Sequence, residues 1–365
     1  MLTWTTRRSW WLAFVMLVTG WDILGNSAVR ATGGPIVAWG DNSYGQTTVP
    51  GPNTCFVAVA AGGFHSLGVK CDGSIVAWGC GSTWNFGQCD VPTPNTGFIA
   101  VAGGHTHSLG LEADGSIVAW GCGEAINNYG QCNVPAPNTG FIAVAAGLYH
   151  SLGVKADGSI VAWGYNNYGQ ANAPAPNTSF ITVTAGERHS VGLKADGSIA
   201  AWGDNIYGQT DVPAPNTGFI AVAAGAYYSV ALKGDGAIMV WGGTDYGLAN
   251  VPGPNADFVA VAAGGTQSLV FTADGSVVGW GCGSPYDYGQ CNVPVPNTGF
   301  TTIAAGAFHS LGIVGLVAPV PAASSWGLVV LALLVSIAGS LVLNYPSMAC
   351  GVVRRETSAI GTALN

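Results

Sequence analysis

Trp-Gly recurs seven times, at Trp39, Trp78, Trp120, Trp163, Trp202, Trp241 and Trp280, in steps of 39, 42, 43, 39, 39 and 39 residues. A fixed period of this length marks a chain of stacked units, because one such unit cannot bury its apolar face alone. The longer steps share one cause. Gly-Gln begins six residues after the Trp at Gly45, Gly169 and Gly208, but nine, ten and nine residues after Trp78, Trp120 and Trp280. One loop therefore carries insertions of three, four and three residues. With them, seven 39-residue units account for all 283 residues of 33–315.

Each unit reads as strands. Phe141–Gly147 and His150–Ala156 are short apolar or alternating runs, Asp157-Gly158 is a hairpin signal, and Ser159–Gly164 is a third run. The stretch Tyr168–Thr178 holds two prolines and must be a crossing loop. Three strands repeated seven times predict an all-β fold, a seven-bladed β-propeller with short, three-stranded blades. A straight β-solenoid is the rival. Ala-rich first strands suit the crowded axis of a radial array, and the Trp of the third strand suits the wider space between blades farther out. The repeat opens mid-unit at Pro35–Gly40 and ends mid-unit at Phe308–Val314. Joining N- and C-terminal strands in one blade would close the ring and remove two exposed edges.

The unit Ala-Ala-Gly-x-x-His-Ser-Leu-Gly-(Leu/Val)-Lys-Ala-Asp-Gly-Ser-Ile-Val-Ala-Trp-Gly stands nearly intact at residues 145–164 and 184–203. It resembles the regulator of chromosome condensation repeat, and the resemblance implies a seven-bladed propeller. The short units are similar to the secreted bacterial members, one of which inhibits β-lactamases by binding them face-on. The chromatin and GTPase-exchange roles of the founding member do not transfer to an exported, acidic chain.

Cysteines follow the inserted loops. Cys80/Cys89, Cys122/Cys132 and Cys282/Cys291 occur only in the three enlarged units, both members together, as disulfides clamping those loops would. Cys55 and Cys71 stand equally far from Gly63 in a hairpin turn and face each other across two strands, a fourth bridge. Cys350 is left over. Four bridges place the repeat in an oxidising compartment.

Other chemistry has a structural explanation. His65, His107, His150, His189 and His309 share one slot, filled elsewhere by Tyr228 and Gln267. Rotation spreads such residues around a ring, so they suit hydrogen bonding and not a metal, which needs convergence. The Asp of each Asp-Gly is turn chemistry. No catalytic motif, cofactor site or metal site is expected.

The ends address the chain to the envelope. Residues 1–32, with Arg7-Arg8, an apolar run and Ala28 and Ala31, read as a signal peptide. Residues 327–343 form an uncharged run long enough for a transmembrane helix, with Trp326 and Tyr345 at its flanks and Arg354-Arg355 in a cytoplasmic tail, 344–365. Val320–Leu328, the apolar helix and the arginine pair resemble the bacterial PEP-CTERM/IPTL-CTERM sorting tail, so 316–326 reads as a linker with a sorting-like motif. The resemblance implies a sorting-type processing enzyme as a partner.

Composition excludes two classes. With 49% hydrophobic and 8% charged residues the chain is not disordered. Five Lys/Arg against sixteen Asp/Glu in 33–315 repel phosphate backbones, so nucleic acid is no partner. The reading is a non-catalytic, exported, membrane- or surface-anchored propeller that binds a protein or glycan. An extracellular lyase or glycosidase, or a purely structural surface protein, are the alternatives. Recognition belongs where repeats differ, in the two residues before the His slot: Phe64, Tyr149, Glu187, Arg188, Tyr227 and Phe308 are the candidates. Trp84, Phe86, Tyr129 and Tyr288 on the clamped loops are a second candidate surface.

Overall fold

Short apolar runs broken by Gly and Asp-Gly fold each unit into three antiparallel strands. The computed structural model describes residues 33–315 except 82–83, 124–126 and 244. The signal peptide, sorting-like linker, membrane helix and tail expected from sequence lie outside the described residues. Among the described residues no helix is long and apolar enough to cross a membrane.

Seven separate three-stranded sheets form the blades. The inner strands are Phe56–Ala61, Phe98–Gly103, Phe141–Ala146, Phe180–Ala185, Phe219–Ala224, Phe258–Ala263 and Phe300–Ala305. The middle strands are Ser66–Lys70, Ser108–Glu112, His150–Lys155, His189–Lys194, Tyr228–Lys233, Ser268–Thr272 and His309–Val314. The outer strands are Ile75–Trp78, Ile117–Trp120, Ile160–Gly164, Ile199–Gly203, Ile238–Gly242, Val277–Trp280 and, from the chain's start, Ile36–Gly40. Successive inner strands touch all the way round, Phe300–Ala305 against Phe56–Ala61 included. The expected clasp is present: Ile36–Gly40 pairs with His309–Val314, Trp39 opposite Ser310, as Trp163 stands opposite Ser151 within one unit.

The core lies between blades. Seven apolar clusters each join neighbours, as where Leu152, Val154 and Ile160 meet Phe180 and Trp202. The seven repeated Trp are 5–8% exposed. Burying one such ring contributes about 4–6 kcal/mol before entropy is counted. Each indole N–H also reaches back to the preceding unit: Trp163 donates to the Gln131 carbonyl at 2.7 Å, and Trp39 spans the closing joint to the Gln290 carbonyl at 2.8 Å. Glycine inside the middle strand makes room for the inner-strand Phe; a Cβ on Gly153 would stand 2.6 Å from the Phe141 ring.

The histidine slot forms a belt across the blade boundaries. Nε2 of His65, His107, His150, His189 and His309 lies 2.9–3.0 Å from the Oγ of Ser108, Ser151, Ser190, Ser229 and Ser66 in the next blade. Those of Ser66, Ser108, Ser151, Ser190 and Ser229 each donate to a Gln carbonyl. The serine proton is thereby used, so histidine Nε2 must be the donor and Nδ1 a bare acceptor. Tyr228 makes the same reach to Ser268, and Gln267 donates instead to the Gly306 and His309 carbonyls. The histidines are structural.

A second device repeats in every unit. The Asn that follows Pro-x-Pro clips the first residue of an outer strand; Asn177 accepts from Ile160 N and donates to Ile160 O, both at 2.8 Å. At the hairpins, Asp157 Oδ1 accepts from the Ser159 amide and hydroxyl, and Gly158 takes φ +80°. The repeated Asp is turn chemistry, as its spacing implies.

Candidate functional site

The inner and middle strands join through a tight turn whose tip carries the variable pair. Gly62 N donates to His65 O at 2.9 Å, leaving Gly63-Phe64 at the tip, and the other units repeat this geometry. Neighbouring turns are tied to each other, Gly63 N to Gly104 O, His105 N to Gly147 O and Ala307 N to Gly62 O among them. The tips therefore form a ring about the axis. Inside it lies a cavity of about 100 Å³ walled by Ala and Gly of all seven turns, with His105, Leu148 and Glu187 its larger side chains.

A second set of aromatics surrounds the ring. The residue before Gly-Gln is Tyr44, Phe86, Tyr129, Tyr168, Tyr207 or Tyr288, and Tyr246 precedes Gly247-Leu248. Its position is set by the buried Gln, whose Oε1 accepts from its backbone N–H, as from Tyr129 at 2.7 Å and Tyr207 at 2.9 Å. Of nine exposed large hydrophobic residues among those described, seven (Tyr129, Tyr168, Ile206, Tyr207, Tyr246, Tyr286, Tyr288) stand on these loops.

Tip and loop aromatics meet, so the two candidate surfaces are one. Phe64 contacts Tyr44 at 5.1 Å, Trp84 at 5.3 Å and His105 at 5.0 Å between ring centroids. His105 leads to Tyr149 at 6.0 Å, then to Tyr129 at 5.1 Å and Tyr165 at 4.8 Å from Tyr129. Tyr165 meets Tyr168 at 6.1 Å, on which the Arg188 guanidinium rests at 5.0 Å while donating to its hydroxyl. A second group pairs Tyr207 with Tyr227 at 5.2 Å. A third joins Tyr246, Tyr286, Phe308 and Tyr288 at 5.2–5.8 Å.

All six sequence candidates thus lie on this face. Phe64, Tyr149, Arg188, Tyr227 and Phe308 hold the outer tip position, and Glu187 faces the axis. Thr106 and Thr266 fill that outer position in the remaining blades. Sequence reasoning missed Tyr44, Tyr165, Tyr168, Tyr207, Tyr246 and Tyr286. The aromatic-Gly-Gln pattern, present in six units and altered only at Leu248, was the signal that finds most of them.

Three of the four disulfides hold this face. Cys80–Cys89 carries Trp84 and Phe86, Cys122–Cys132 carries Tyr129, and Cys282–Cys291 carries Tyr286 and Tyr288. Cys55–Cys71 bridges the flanks of an inner and a middle strand. All four expected pairs are formed.

Electrostatics separate the two faces. Lys70, Lys155, Lys194 and Lys233 lie at the Asp-Gly end, each ammonium over the Phe that opens the inner strand. Arg188 is left as the one Lys or Arg of the described residues on the aromatic face. Burial lowers His105 to about 4, so it is neutral there. Burial and then Tyr129 and Glu187 push Tyr149 up. Burial, a hydrogen bond to Glu187 and its charge raise Tyr227. Both phenols stay protonated. Among the described residues no three His, Cys, Asp or Glu side chains converge to hold a metal.

The Regulator of chromosome condensation (RCC1) repeat model matches residues 56–88, 141–170 and 180–209. The protein is a β-propeller of RCC1-type repeats. No curated protein sequence matches the chain. Among solved structures it is similar to Prp20p of Saccharomyces cerevisiae, whose structure is described with its binding to Gsp1p and histones. The two are 19% identical over 79% of this chain and 93% of that one, with a TM-score of 0.65. Human WBSCR16 is 17% identical over 78% and 100%, TM-score 0.60. The ectodomain of the Physcomitrella patens receptor kinase CR4 is 22% identical over 72% and 71%, TM-score 0.56. At these identities the likeness is one of fold.

Proposed function

We propose that the protein is a non-catalytic binding module, exported and anchored at the cell envelope, that holds a protein partner on its aromatic face. The observation that carries this reading is the three groups of aromatics that tip residues and loops, three of them disulfide-clamped, gather on one face. Tyr, Trp and Arg supply large contact area at little entropic cost, and they dominate interface hot spots. Clamping the loops by disulfides cuts the ordering cost of binding. Prp20p, which shares the fold, is itself a protein binder by the description of its structure. The four disulfides support an oxidising, extracytoplasmic location, and residues 327–343 supply the anchor in this reading.

Site-resolved photo-crosslinking tests it. A photoreactive residue in place of Tyr207 or Tyr288 on the exported chain is expected to give discrete protein adducts. The same probe at Asp157, on the opposite face, is expected to give none. Equal adducts from both faces would reject the assignment, and saturable binding of a purified glycan with no protein adduct would transfer the face to carbohydrate.

A further inference from the structure

The aromatic face has a centre, and its chemistry differs from its surround. The axial cavity is walled by alanine methyls and glycine backbone and measures about 100 Å³. It opens to solvent on the aromatic face, and its small lining residues leave room for an unbranched aliphatic chain. Glu187 is the one charged side chain lining it. The adjacent Arg188 turns outward onto Tyr168. The phenols of Tyr149 and Tyr227, on the blades to either side, both feel the Glu187 charge. A carboxylate between aromatic rings, at the lip of an apolar shaft, is the arrangement that attracts a cation with an aliphatic stem. Charge complementarity agrees at longer range: Asp41, Asp204, Asp245 and Asp287 stand on the loops of the same face, and His105 adds no positive charge.

We propose that the axial mouth seats one lysine or arginine side chain presented on a protruding loop of the protein partner, its stem in the Ala/Gly shaft and its charged head on Glu187 between Tyr149 and Tyr227. This rests on the reading of the aromatic face as a protein-binding surface and specifies what the partner must carry. Neutral glycans satisfy none of the charge.

n-Butylguanidinium and n-butylammonium, titrated into the full chain and followed by tyrosine and tryptophan fluorescence, are the probes, with N-butylacetamide as the neutral isostere. Saturable binding of the cations at millimolar concentration is expected, at least tenfold weaker for the isostere. Glu187→Gln should weaken cation binding at least tenfold, Ala226→Leu should plug the shaft with the same result, and Asp157→Asn on the far face should change nothing. Melting curves of each variant separate loss of site from loss of fold. Equal affinity for cation and isostere, or cation binding unchanged in both Glu187→Gln and Ala226→Leu, overturns the proposal. If that happens while photo-crosslinks at Tyr207 and Tyr288 persist, the cation seat falls and the protein-binding reading stands. Loss of those crosslinks would remove both.

Discussion

Each buried histidine of the belt donates from Nε2 and keeps Nδ1 bare and without a partner. Protonating it would place a charge where nothing can solvate it. Burial accordingly lowers His65, His107 and His150 to about 3, and His189 and His309 to about 4, from an ordinary 6.5. The sign follows: the unfolded chain takes up protons first, so stability is complete above pH ~6.5 and is lost as pH falls toward 4. Five such groups approach a slope of about 7 kcal/mol per pH unit, near 1.4 for each. Chemical denaturation at pH 7, 6, 5 and 4.5 measures it. His150→Gln should fold, since Gln267 already fills the equivalent slot, and should reduce the slope by one proton; an unchanged slope would place the acid sensitivity elsewhere. The turn aspartates, lowered chiefly by hydrogen bonds from Ser74, Ser116 and their equivalents, lose their contribution only below the usual carboxylate pKa, after the histidines have acted. Asn177 is a second single-residue test. Its two hydrogen bonds to Ile160 start an outer strand, and Asn177→Ala should cost about 1–3 kcal/mol by leaving that backbone pair unsatisfied.

At the scale of elements, the enlarged loops are where scaffold and recognition meet. Tyr129 rests on Tyr149 because Cys122–Cys132 and the Gln131 side chain fix the loop between them. Replacing both cysteines by serine should cost roughly 3 kcal/mol in the chain-entropy picture of a loop this short. It should also reduce partner adducts from a probe at Tyr129, because a freed loop must be ordered on binding. A fall in melting temperature with undiminished adducts would confine the disulfide to stability. The strands, the hairpins, the four bridges and the clasp were all legible in the sequence, since a period exposes every position seven times. What repeats is scaffold, so residues that differ, such as Glu187 and Phe308, stood out as candidates. The same logic hid the outer ring of Tyr168 and Tyr207: an aromatic kept in every unit reads as structure. Only the geometry shows that the buried Gln holds its backbone while the ring remains outside. The contact of Trp84 with Phe64 was hidden for another reason, because the loop and the turn meet through insertions whose path no period dictates.

The whole molecule depends on closure. The seventh blade matches the other six only while Ile36–Gly40 covers the edge of its middle strand, and that short strand contributes far more than its own pairing. Trp39 fills the joint beside Phe300 at 6.1 Å, its indole donates to Gln290, and Ile36 packs with Phe56, Trp78, Leu311 and Ile313 on the next blade's side. Removing residues 33–40 would uncover the edge of His309–Val314 and drain apolar contacts from both neighbouring cores at once. The expected outcome is a large drop in melting temperature together with concentration-dependent self-association through the exposed strand. Calorimetry and light scattering on the exported protein read the two effects separately. A synthetic peptide of residues 33–42 added to the truncated protein should restore both melting and the monomer, because the missing strand binds by pairing and by filling the Trp39 site. If the truncated protein melts like the intact one and stays monomeric, the ring does not depend on its clasp, and the neighbouring blades alone hold it shut.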